Sequence, residues 1–63
     1  MPAADRLLAA LAQRVRALRG ERGLTLQQLA RRARLSPRFL VQVEQGQANI
    51  SVRKLAGLAA ALD

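Results

Sequence analysis

Between Gly23 and Gly46 the chain fits two helix starts and two helix stops into one short stretch, GLTLQQLARRARLSPRFLVQVEQG. Thr25-Leu26-Gln27-Gln28 has the capping-box form, a hydroxyl at the cap and a Gln three residues on. Leu29, Ala30 and Ala33 follow as a small-residue face for close packing. The helical pattern breaks near Arg34, and Leu35 is placed to plug the core at the turn. Ser36 then caps a second helix, with Pro37 at its first position, where a missing N–H does no harm. Leu40 and Val43 are its inward residues, and Gly46 ends it. The segment therefore predicts two short helices joined by a tight turn.

The flanks predict a helix on each side. Leu7, Leu8, Leu11, Val15 and Leu18 recur at helical spacing, with Arg6, Gln13, Arg14 and Arg16 between them. Asp5 is the expected cap of this first helix, which should reach about Arg22. Gly23 suits the left-handed residue that ends a helix, with Leu24 folding back as the apolar contact beyond it. After a loop at Gln47 to Ile50, Ser51 should cap a fourth helix running through Leu62. Its expected buried stripe is Leu55, Leu58, Ala59 and Leu62. No strand-type alternation occurs, so the predicted fold class is all-α, a compact set of four helices.

Size and charge narrow the function. The 63 residues make one domain, residues 1–63. A chain this short buries only about 60% of the surface its unfolded form exposes, so its core is thin. The absence of cysteine and histidine removes thiolate and imidazole ligands and the usual general base. The acidic residues Asp5, Glu21, Glu44 and Asp63 are scattered, with no paired spacing, so an enzyme is not expected. No metal or cofactor is implied. The 11 basic residues exceed the 4 acidic ones by seven, for a net charge of +7, which suggests a polyanionic partner. All but Lys54 are arginine, whose planar fork suits phosphates and guanine edges. No apolar run approaches the ~20 residues of a membrane span, and the N-terminus lacks a signal-peptide pattern. A cytoplasmic, nucleoid-associated location is expected.

From Leu11 to Leu62 the chain resembles the lambda-repressor-like helix-turn-helix family of the Cro/CI or XRE type. The residues that carry this are Arg14 to Arg19, Gly23-Leu24-Thr25, Leu29-Ala30, Leu35-Ser36, Val43-Glu44-Gln45-Gly46, Asn49-Ile50-Ser51, Leu55-Ala56 and Leu58-Ala59. Each is common, but their order and spacing together are specific. The resemblance implies a bacterial transcriptional regulator, typically a repressor. It would bind double-stranded operator DNA as a homodimer on a pseudo-palindromic site. The helix-turn-helix would be helices two and three, with 36–45 as the recognition helix. Candidate DNA-binding residues carried over are Ser36, Pro37, Arg38, Phe39 and Gln42 on that helix. Thr25, Gln27, Gln28 and the loop residues Gln47 and Asn49 would serve the sugar-phosphate backbone. Arg38 would suit guanine and Gln42 adenine. Arg19 and Glu44 match a pair that clamps the first helix to the recognition helix in the family; the alternative is two ordinary surface charges.

The chain also departs from the family pattern. Leu26 stands where a phosphate-contacting Gln is usual, Arg34 where the turn has Gly, and Ile50 where the loop has Pro. Arg34 either changes the turn or contacts a phosphate, so it joins the candidate DNA-binding residues. Phe39 either stacks on a thymine methyl or sugar or packs against the turn. The family's fifth helix, which would follow Asp63, is missing or truncated. This leaves Val52, Leu55 and Leu62 as a dimer contact or a truncation scar. Such an end fits the N-terminal fragment of a longer regulator. The run Arg38 to Glu44 with Asn49-Ile50-Ser51 is also similar to the N-terminal domain of benzoyl-CoA-responsive repressors. That likeness would imply a C-terminal, shikimate-kinase-like effector domain. The competing functions are an antitoxin or protein-interaction module on the same fold, and a basic amphipathic segment at a membrane.

Overall fold

The computed structural model describes residues 3–63. It contains four helices: α1 (Ala3–Glu21), α2 (Leu26–Ala33), α3 (Pro37–Glu44) and α4 (Val52–Leu62). No strand occurs among the described residues. Asp5, expected as the cap of α1, instead lies inside its first turn. Its carboxylate remains near the positive end of the helix dipole, so the residue type is still favourable there.

The other helix starts follow the cap chemistry. Thr25 Oγ1 accepts from the Gln28 amide at 3.1 Å, and the Thr25 amide donates back to Gln28 Oε1 at 2.9 Å. Ser36 Oγ accepts from the Phe39 amide at 3.0 Å, and Ser51 Oγ from the Lys54 amide at 3.2 Å.

The first three helices share one kind of stop. Gly23, Arg34 and Gly46 each adopt a left-handed conformation, with φ of 64°, 58° and 73°. The residue after each donates its amide five residues back: Leu24 to Arg19 at 3.1 Å, Leu35 to Ala30 at 2.9 Å, and Gln47 to Gln42 at 2.9 Å. This is the six-to-one bond of the Schellman motif, which satisfies carbonyls the helix end would orphan. Leu24 and Leu35 then pack against the core. Glycine takes the left-handed conformation without a Cβ penalty, whereas arginine pays about 1–2 kcal/mol.

The two helices on either side of the Arg34 turn form the centre of the packing. α2 packs on both α3 and α4, while α1 packs on α3. Leu29, Leu40 and Leu58, from three different helices, are the largest fully buried side chains together with Val43. Val15, Ala30, Ala33 and Leu62 complete the helical part of the core. Leu26 and Ile50, both departures from the family pattern, pack against this cluster as partly buried side chains.

The α4 stripe is narrower than expected. Leu58 and Leu62 are buried, but Leu55 is 37% exposed and Ala59 is also exposed. They line an apolar groove of about 140 Å3 that also takes in Leu11, Val15 and Leu18 of α1. The helical spacing put these residues on the inward side of α4, but α1 does not close over them and leaves the side chains uncovered. Leu7 on α1 is likewise 71% exposed.

Candidate nucleic-acid interface

The two faces of α3 differ sharply. Leu40, Val43 and Glu44 are buried, while Arg38, Val41, Gln42 and Gln45 are exposed. Arg38 and Gln42 lie four residues apart, so they stand one above the other on the outer side. Gln45, which caps the end of α3, continues the same line. Ser36 and Pro37 are exposed at the start of the helix.

Phe39 sits between the two faces. It is half-buried against the core, and Lys54 Nζ lies 4.6 Å from its ring centroid. A cation at that distance is attracted by the ring's negative face. The side chain thereby joins the start of α3 to α4.

The remaining sequence candidates are exposed on the segments before and after α3. Thr25, Gln27 and Gln28 are exposed at the start of α2. The capping box uses the side-chain oxygen of Gln28, which leaves its amide hydrogens as donors. Arg34 is exposed in the turn between α2 and α3. In the loop after α3, Gln47 and Asn49 are exposed on either side of Ala48, which is only 6% exposed. Ala48 is a core residue that periodicity could not reveal, because it lies outside any helix.

Behind the outer face, Glu44 ties α3 to α1. Arg19 Nε donates to Glu44 Oε2 at 2.7 Å, and Arg19 Nη2 donates to Oε1 at 3.0 Å. The two parallel bonds form a fork, the stronger form of arginine–carboxylate contact. Arg19 Nη1 also donates to the Leu24 carbonyl at 3.1 Å, across the junction to α2. The Glu44 side chain is 7% exposed and that of Arg19 26%. The hydrogen bonds that Arg19 donates to Glu44 raise the Arg19 pKa, and the carboxylate's charge adds to this against the opposing cost of burial. Arg16 supplies a further bond that sequence reasoning missed, from its guanidinium to the Glu44 backbone carbonyl. Its spacing of three from Arg19 on α1 was the available signal.

A helix-turn-helix family model matches residues 15–63, most of the chain. The chain belongs to the Cro/CI-type helix-turn-helix family. This is a DNA-binding family, typically non-enzymatic. No curated protein and no solved structure matches the chain significantly. In this helix-turn-helix domain, α2 and α3 are the paired helices and Arg34 lies in the turn between them. The first turns of α1, before residue 15, precede the matched region. Among the described residues no helix is long and apolar enough to cross a membrane, and no group of acidic side chains could hold a metal ion.

The turn offers a test of its own. Arg34→Gly should raise stability by about 0.5–1 kcal/mol, the relieved left-handed strain less the added freedom of the unfolded chain. For a domain this small that corresponds to roughly 2–8 °C in melting temperature. The same change should weaken DNA binding if the arginine is kept for a phosphate. A variant that melts no higher than wild type would show that the turn carries no such strain.

Proposed function

We propose that this domain binds double-stranded DNA sequence-specifically, in a bacterial transcriptional regulator acting in the cytoplasm. In this reading α3 enters the major groove. Its first turns meet base edges, as helix-turn-helix docking requires. The observation that carries the reading is the shared outer face of Arg38 and Gln42, held outward by the burial of Leu40, Val43 and Glu44 behind them. Arg38 has the fork for guanine and Gln42 the amide for adenine. In this reading the exposed Thr25, Gln27, Gln28, Arg34, Ser36, Gln47 and Asn49 serve the sugar-phosphate backbone. Pro37 contributes shape alone, since its nitrogen cannot donate. Phe39 acts here through its placement, as its ring is engaged by Lys54 and the core. A homodimer would set two such helices about 34–36 Å apart on a pseudo-palindromic site.

Selection of bound duplexes from a random pool tests this directly. A defined sequence should emerge, and Arg38→Ala should cost about 1–3 kcal/mol on it while relaxing preference at one position. Melting should be unchanged, because Arg38 is exposed. Equal affinity for selected and random duplexes at every salt concentration would sink the proposal.

A further inference from the structure

A second basic surface begins where the outer face of α3 ends. Arg6, Gln13 and Arg16 of α1 line a concave surface with Gln45, enclosing about 450 Å3 above a floor that includes Ala9 and Ala10. Arg6, Gln13, Arg16 and Gln45 are all exposed, and no carboxylate lines the concavity. Asp5 is close in sequence but lies outside the lining. The small alanine side chains let another surface approach the α1 backbone closely between the two arginines. The bond from Arg16 to the Glu44 carbonyl steers its guanidinium toward the end of α3 while leaving other N–H groups unused. Gln45 belongs both to this concavity and to the line Arg38–Gln42–Gln45, so the two surfaces are continuous.

We infer that this concavity tracks the phosphodiester backbone of DNA flanking the base-contacted segment. The inference rests on the proposed reading of α3. Arg6 and Gln13 lie before residue 15, outside the family match, on the N-terminal extension that α1 makes beyond the matched residues. From Arg6 to Arg16 the helix rises about 15 Å, at 1.5 Å per residue. That is roughly four base-pair steps at 3.4 Å each. The extension should therefore lengthen the contacted duplex by about that amount on the side of Gln45. Arginine donors among small side chains, with no acidic group in the lining, suit a row of phosphates and carry no base preference.

The experiment uses a duplex selected by the whole domain, in a short form ending at the base-contacted segment and a long form extended by about six base pairs on each side. Wild type should bind the long form roughly three- to tenfold more tightly at low salt, through one or two added phosphate contacts. Arg6→Ala should remove most of that gain and leave binding to the short form within about twofold, while Arg6→Lys should keep most of it. Each lost contact lowers the salt slope by about 0.9, so the advantage of wild type over Arg6→Ala should shrink about threefold between 50 and 200 mM salt. Circular dichroism should show unchanged helix content. No gain from the flanks in wild type, or an undiminished gain in Arg6→Ala, overturns the inference. So does saturable binding of inorganic phosphate at Arg6 and Gln13 with no effect of duplex length, which would mark a site for a free anion. Failure here is distinct from failure of the α3 reading, because the latter would abolish sequence selection and the effect of Arg38→Ala as well.

Discussion

Arg19→Ala should lower the stability of the domain by roughly 3–5 kcal/mol, the cost of leaving one partner of a buried pair uncompensated. The direction of the asymmetry is set by exposure. Glu44 has a side chain that is 7% exposed and loses both bonds to its carboxylate, whereas Arg19 is 26% exposed and can turn to water. Glu44→Ala should therefore fall nearer the lower end of that range. Arg19→Ala also removes the bond to the Leu24 carbonyl, so the junction between α1 and α2 loosens with it. A core of this size rarely supplies more than about 3–5 kcal/mol, so the Arg19 variant should be largely unfolded in water. Urea titration is the measurement: wild type should give a full transition, and Arg19→Ala little folded baseline even without urea. Were both variants within about 1 kcal/mol of wild type, the pair would be behaving as an exposed surface bridge.

Leu40→Ala is expected to cost about 2–5 kcal/mol, the loss of a buried isobutyl group plus the cavity it leaves. Leu40 is fully buried on the back of α3, directly opposite the exposed face. DNA binding should fall with it, although Leu40 is in no position to touch DNA. The reason is linkage: only the folded form binds, so the energy of folding is charged against affinity. Duplex at 100 times its dissociation constant should restore about 2.7 kcal/mol of stability. Arg38→Ala should show the opposite combination, normal melting and weakened binding. If Leu40→Ala bound selected duplex as tightly as wild type while almost wholly unfolded, binding would not depend on the folded domain, and the α3 reading would fail with it.

The contrast between these two variants mirrors how the fold could be read in advance. Thr25, Ser36 and Ser51 announced their caps because a cap is a bond between residues three apart, contained within a few letters of sequence. The glycine stops were legible for the same reason. Arg34 was harder, since it takes a glycine's conformation without a glycine's identity. Its place between Ala33 and Leu35 makes it the stop because the core holds both neighbours. Asp5 misled because an acidic residue favours both the cap and the first turn, and the dipole does not distinguish them sharply.

The candidate site divides the same way. The outward placement of Arg38 and Gln42 followed from the inward spacing of Leu40 and Val43 on one helix. Which atoms Arg16 would bond, where Lys54 would sit over Phe39, and how Ala48 would enter the core all join residues distant in sequence. The exposure of Leu55 and Ala59 belongs here too. Their spacing is that of a buried stripe, but spacing can say only that two residues share a face.

Local chemistry thus settled the four helices, their stops and the starts of α2, α3 and α4, the basic charge and the outward side of α3. Each of these rests on interactions within about one helical turn, or on composition. Tertiary packing alone decided that α2 and α3 would be the central pair, that α1 and α4 would leave an apolar groove between them, and that the outer face of α3 would run on into the arginines of α1. Those outcomes depend on how whole helices cross, and crossing is set by the fit of many side chains at once rather than by any short segment.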